Sequence, residues 1–90
     1  MAYLPSREVV KEHEFEEQLS RLIVNPEQAD EFIAAAEEIL ARDPESGMLC
    51  KGGASIWYLV MAPVGGRRVS LFYTFDPKWV VFLAILPFED

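Results

Sequence analysis

Ninety residues with 51% hydrophobic side chains and a formal net charge of −7 set the first limits. A chain of this length makes one domain and hides only about two-thirds of its unfolded surface, so the apolar surplus is expected to leave surface for a partner or a second copy. The acidic balance argues against tight, nonspecific nucleic-acid binding by the whole surface, no apolar run reaches the ~18 residues of a membrane span, and a lone Cys50 excludes an internal disulfide.

The first residues, Met-Ala-Tyr-Leu-Pro-Ser-Arg-Glu, have no basic stretch followed by an apolar core, so they do not read as a signal peptide. With the single thiol, this fits a reducing cytoplasm. Residues 2–6 are expected to be irregular at Pro5, and Arg7–Lys11 suits a short strand. A helix follows over roughly Glu12–Val24, with Phe15, Leu19, Leu22 and Ile23 on one face and acids near its positive end. Asn25-Pro26 breaks the chain and restarts it: Asn25 is a good N-cap, Pro26 suits the first helical position, and Gln28 stands where a capping-box partner would. The second helix runs to about Ala41 with the stripe Ala29, Phe32, Ile33, Ala36, Ile39 and Leu40, and Asp43-Pro44 ends it. So short a connection predicts a helical hairpin.

Met48-Leu49-Cys50 reads as a brief extended piece and Gly52-Gly53 as a flexible joint. Three apolar runs follow, Ser55–Ala62, Val69–Phe75 and Trp79–Leu86, rich in β-branched and aromatic residues. Pro63–Gly66 and Asp76–Lys78 are too short for crossovers, which predicts an antiparallel meander. Val69, Leu71, Tyr73 and Phe75 alternate with Ser70, Phe72 and Thr74, the period of a strand with one better-buried face. The last run has no polar face, so it is either covered on both sides or its second face meets a partner. The fold class is α+β: a helical hairpin packed on an antiparallel meander, in the order β-α-α-β-β-β, as one domain over residues 1–90.

Charge is uneven. Glu8 to Glu45 carries most of the acid, whereas Cys50–Trp79 has Lys51, Arg67, Arg68 and Lys78 against Asp76 alone. The strand region is therefore locally basic. One His13 and one Cys50 cannot build a zinc site, and no other metal or cofactor is expected. His13, among Glu12, Glu14 and Glu16, suits a solvated helix start better than a general base. Gly65-Gly66 is a turn and not a phosphate loop, because no helix follows it. Tyr73 and Trp57 offer rings for stacking on a base, although strand aromatics more often fill a core. Trp79 is expected to pack against a helix.

Glu14-Phe15-Glu16-Glu17-Gln18-Leu19, then Gly47-Met48-Leu49 leading into Ile56-Trp57-Tyr58-Leu59, then Gly65-Gly66-Arg67-Arg68-Val69-Ser70-Leu71-Phe72-Tyr73, and finally Val80–Ile85, follow one another in a set order. This order resembles the RelE/ParE superfamily of bacterial toxins from type II toxin–antitoxin pairs. The resemblance covers roughly Arg7 to Leu86. It implies a toxin held inactive by an antitoxin, with either ribosome-bound messenger RNA or DNA gyrase as target. In the RNA-cleaving branch Arg68 matches the strand arginine, which would hold a phosphate or stabilise developing charge, and Lys51 and Tyr73 would support it. Arg67 reads as a turn residue. The sequence departs from that branch in three places: Ile56–Met61 has no lysine, the acidic Glu89-Asp90 follows the last strand, and the chain as a whole is not basic. The resemblance thus implies an mRNA endonuclease with a degenerate site. The alternative is a catalytically silent module of the same fold that binds a protein or pairs with a second copy.

Overall fold

The alternating run Val69–Phe75 becomes a strand near the centre of a mixed, five-stranded sheet. The computed structural model describes residues 7–52, 55–62 and 68–88. Among them the elements are β1 (Glu8–Lys11), α1 (His13–Leu22), α2 (Pro26–Arg42), a 3-10 turn (Pro44–Ser46), β2 (Met48–Leu49), β3 (Trp57–Met61), β4 (Val69–Phe75) and β5 (Trp79–Pro87). The spatial order is β1-β5-β4-β3-β2. The meander β3-β4-β5 is antiparallel as its short connectors require, and β2 adds to the far edge of β3. The short N-terminal strand forms and lies parallel to β5, pairing Val9 with Val80 and Lys11 with Phe82. The expected turn at Pro63–Gly66, the turn residue Arg67, the joint residue Gly53 and the irregular residues 2–6 lie outside the described residues.

Asn25 caps α2 as its sequence position suggests: its side-chain oxygen accepts from the N–H groups of Glu27 at 2.9 Å and Gln28 at 3.3 Å. By contrast, α1 starts after Glu12 with no side-chain cap. Burial of its apolar stripe must therefore hold it in place. α1 packs on β5, and α2 on β1, β5 and the 3-10 turn. Phe15, Phe32, Ala36 and Leu40 meet Leu71, Tyr73, Val80, Phe82 and Ile85 in one core. Phe15 and Phe82 touch edge to face, with centroids 5.4 Å apart.

Strict alternation would not place both Phe82 and Ile85 in that core. The register supplies the explanation. Phe72 faces Ala84, but the next residue, Tyr73, faces Phe82, so Leu83 is an extra residue in β5. This bulge changes the phase of β5, turning Val80 and Phe82 inward on one side and Ile85 inward on the other. Beyond the end of β1, the Ile85 N–H is taken by the Gln18 side chain of α1 at 2.9 Å. The all-apolar run thus has its best-buried side chains under the helices. Among the described residues no helix is long and apolar enough to cross a membrane.

Candidate functional site

The helices cover one face of the sheet, and the other face has no layer over it among the described residues. Pairing fixes what that second face presents. Tyr58 pairs with Phe72 and with Met48, and Val60 pairs with Ser70, so these side chains share the face away from the helices. The Tyr58 and Phe72 rings lie 6.0 Å apart, and the Tyr58 hydroxyl donates to Met48 Sδ at 3.6 Å. A cleft of about 410 Å³ opens here, with Lys51, Tyr58, Ser70, Phe72 and Phe88 among its walls. Ser70 is buried and the aromatic rings are half-buried.

Arg68 and Phe88 are joined at the ends of their strands. The Phe88 N–H donates to the Arg68 carbonyl oxygen at 3.0 Å, and the Arg68 guanidinium carbon stands 5.0 Å from the Phe88 ring centre. Lys51 reaches the same cleft from the β2 side, exposed to solvent. Of the two cations foreseen from the sequence, Lys51 lines the depression and Arg68 stands over Phe88, one of its walls. A guanidinium and an ammonium flanking such walls suit a phosphate beside a stacked base.

Tyr73 is not there. It points to the helix face, is fully buried, and its hydroxyl donates to the Pro44 carbonyl oxygen of the 3-10 turn. Burial pushes its phenol above the ordinary tyrosine range, with a smaller opposing effect from a Gly47 backbone hydrogen bond. A Cβ on Gly47 would collide with the Tyr58 carbonyl and the Tyr73 hydroxyl. Tyr73 therefore ties the turn before β2 to the core. Trp57 also faces the helix side, stacked at a tilt on Phe75 with centroids 5.4 Å apart.

Trp79 corrects another expectation. Its neighbour Val80 is fully buried under the helices, so Trp79 points the other way and is 41% exposed. His13 is exposed on α1, where Nε2 lies 2.7 Å from Glu17. Among the described residues, no group of His, Cys, Asp and Glu could hold a metal ion.

Sequence reasoning missed Tyr58 and Phe88 as walls of the cleft. The signal for Tyr58 was its parity within β3, which acquires meaning only through the register against Phe72. Phe88 follows the last strand, and nothing in its local pattern marks it.

No protein-family model matches the sequence, and no curated protein matches it significantly. Solved structures do match. A chain of the toxin–antitoxin complex RelBE2 from Mycobacterium tuberculosis is 19% identical with a TM-score of 0.74, over 99% of this chain and 98% of that one. A chain of the chromosomal ParDE toxin–antitoxin system from P. aeruginosa is 14% identical with a TM-score of 0.59, over 93% and 98%. The fold is that of RelE/ParE-type toxins.

Proposed function

We propose that this protein is the toxin of a toxin–antitoxin pair, acting in the cytoplasm, and that the open sheet face is its working surface. The observation that carries the reading is the cleft itself, walled by Lys51, Tyr58, Phe72 and Phe88 with Arg68 over the Phe88 ring, on an uncovered sheet of toxin fold. Its ligand is single-stranded RNA, read on the ribosome as messenger. The rings stack on a base, while Arg68 and Lys51 hold the adjoining phosphate and offset the charge that builds as a ribose 2′-hydroxyl gives its proton to water, its oxygen attacks phosphorus to form a 2′,3′-cyclic phosphate, and the 5′-oxygen leaves with a proton taken from water. Tyr58, and not Tyr73, is the phenol within reach of that event. A small antitoxin protein keeps the toxin silent until it is removed.

A second reading has its own observation. Among the described residues, the cleft has no His, Asp or Glu in its walls to accept the 2′-hydroxyl proton. That favours a surface that binds and does not cut: a silent module of the same fold, serving a protein partner or a homodimer.

Tightly controlled expression in a bacterial host, with pulse-labelled protein synthesis, separates these. Growth arrest with an immediate fall in translation is the expected result, relieved by Arg68→Ala. Full toxicity of that variant would remove Arg68 from the mechanism. Arrest with early translation intact and DNA damage induced would move the target to gyrase. No effect at good expression would sink the toxin reading and leave the silent module.

A further inference from the structure

The cleft holds two sulfur-bearing side chains, and the chemistry above uses neither. Met48 of β2 and Cys50 just past its end stand two residues apart, so extended chain turns both to one side, and both line the cleft. Cys50 is half-buried, and its N–H donates to the Ile56 carbonyl oxygen at 2.8 Å, which fixes its backbone beside β3. Two residues on, a Cβ at Gly52 would meet no atom within 4 Å, so the chain there is open to solvent. A small reagent can reach this thiol, whereas a cysteine sealed in a core is inert.

Ser70 points to what such a reagent carries. It is 6% exposed and lines the same cleft. Its hydroxyl forms no hydrogen bond among the described residues, yet the oxygen is not sealed off, so its donor and acceptor open into the cleft. A hydroxyl at that depth is completed by a polar group that enters beside it. Lys51, exposed on the wall next to Cys50, adds a cation suited to a carboxylate. The half-buried Tyr58 and Phe72 rings give apolar surface between these polar points.

We propose that Cys50 is a thiolation site: it takes up a small carboxylate-bearing thiol as a mixed disulfide, and the attached group lies in the cleft. The reagent is the disulfide of that thiol. The Cys50 thiol gives its proton to water and its sulfur attacks one sulfur of the reagent. A new S–S bond forms to Cys50, the reagent's own S–S bond breaks, and the departing thiolate takes a proton from water. Cys50 is oxidised and the released half of the reagent is reduced. These ninety residues contain no second cysteine, so an external thiol reverses the step. The consequence for RNA rests on the reading above, since a filled cleft cannot stack a base.

The test exposes the full chain to glutathione disulfide, which carries carboxylates, and separately to cystamine, which carries ammonium groups. Intact mass counts the adducts, and each rate is divided by that of free N-acetylcysteine with the same reagent. One glutathione adduct is expected, and none in Cys50→Ser. The normalised preference for glutathione disulfide should be about threefold or more and should shrink in Lys51→Gln and at high salt. In a glutathione redox buffer, Ser70→Ala should hold about threefold less adduct, with thermal melting to confirm that it folds. Methyl-labelled methionine resonances locate the adduct: Met48 should shift, while Met61, packed on the helix side, should not. No adduct, no preference between the reagents, an unchanged adduct fraction in folded Ser70→Ala, or an unmoved Met48 would overturn the inference. RNA affinity is read separately and should fall about tenfold or more in the adduct, returning with dithiothreitol. RNA binding without adduct formation overturns this inference alone. An adduct that moves Met48, with RNA binding absent or unaltered, overturns the RNA reading alone.

Discussion

The two faces of the sheet are built from the same strands and similar residue types, yet they have opposite fates. On one face Leu71, Tyr73, Val80, Phe82 and Ile85 lie at 0% exposure beneath the helices. On the other, Tyr58, Val60, Phe72 and Val81 are half-buried, with exposed Trp79 and Leu86 nearby. Hydrophobicity alone does not distinguish them. What separates the faces is the covering layer, and the face left without one carries the cleft that Lys51 lines and the Phe88 ring that Arg68 stands over. Stability and function should therefore separate by face, and substitutions can test whether they do.

The largest expected difference is between Phe82→Ala and Phe72→Ala. Emptying the fully buried Phe82 site should cost ~3–5 kcal/mol and leave a domain this small largely unfolded. Phe72→Ala should cost clearly less and should weaken RNA binding. Urea unfolding and RNA titration on both variants measure this, and equal destabilisation would break the comparison.

Gly47→Ala comes next. The added methyl meets the Tyr58 carbonyl and the Tyr73 hydroxyl, so a loss of ~1–3 kcal/mol is expected from forced displacement of backbone. A melting temperature equal to that of the parent would contradict this close approach.

Tyr73→Phe sharpens the contrast further. It leaves the Pro44 carbonyl without its donor and should cost about 1–2 kcal/mol while RNA affinity stays unchanged. The phenol also sets an alkaline limit. Its folded pKa is raised, so the neutral form is favoured in the folded state; that stabilisation is fully present below the unfolded value near ~10 and is lost as pH rises through the folded one. The parent should lose stability on strong alkalinisation more steeply than Tyr73→Phe. Identical profiles would mean that the ring is less buried than it stands here.

Asn25→Ala should cost ~1 kcal/mol through loss of the α2 cap, measured by thermal melting, and should spare both faces of the sheet. Smallest in stability are Arg68→Ala and Lys51→Ala. Both side chains are exposed, so folding should move by no more than ~0.5 kcal/mol while RNA affinity falls and becomes less sensitive to salt. A large drop in melting temperature would instead make them structural residues.

Local chemistry was enough to write most of the element list from the residues alone. Asn25-Pro26 starts a helix because a side-chain acceptor and a fixed φ act within a few residues. Val69–Phe75 is a strand because its side chains alternate, and the meander follows from connectors too short for anything else. The gathering of basic charge after Cys50 was visible for the same reason: charge is a property of residues and not of their partners.

Only the tertiary structure decided which way the rings point. Tyr73 was the phenol the strand pattern offered as a site residue until the register put it under the helices and set Tyr58 beside Phe72. Trp79 faces outward because the phase of β5 is set by pairing, and that phase changes at Leu83, where no residue type announces a bulge. A strand apolar on both sides has no local preference for either face. The choice is made by contacts between residues far apart in the chain, and those same contacts leave one face of the sheet uncovered.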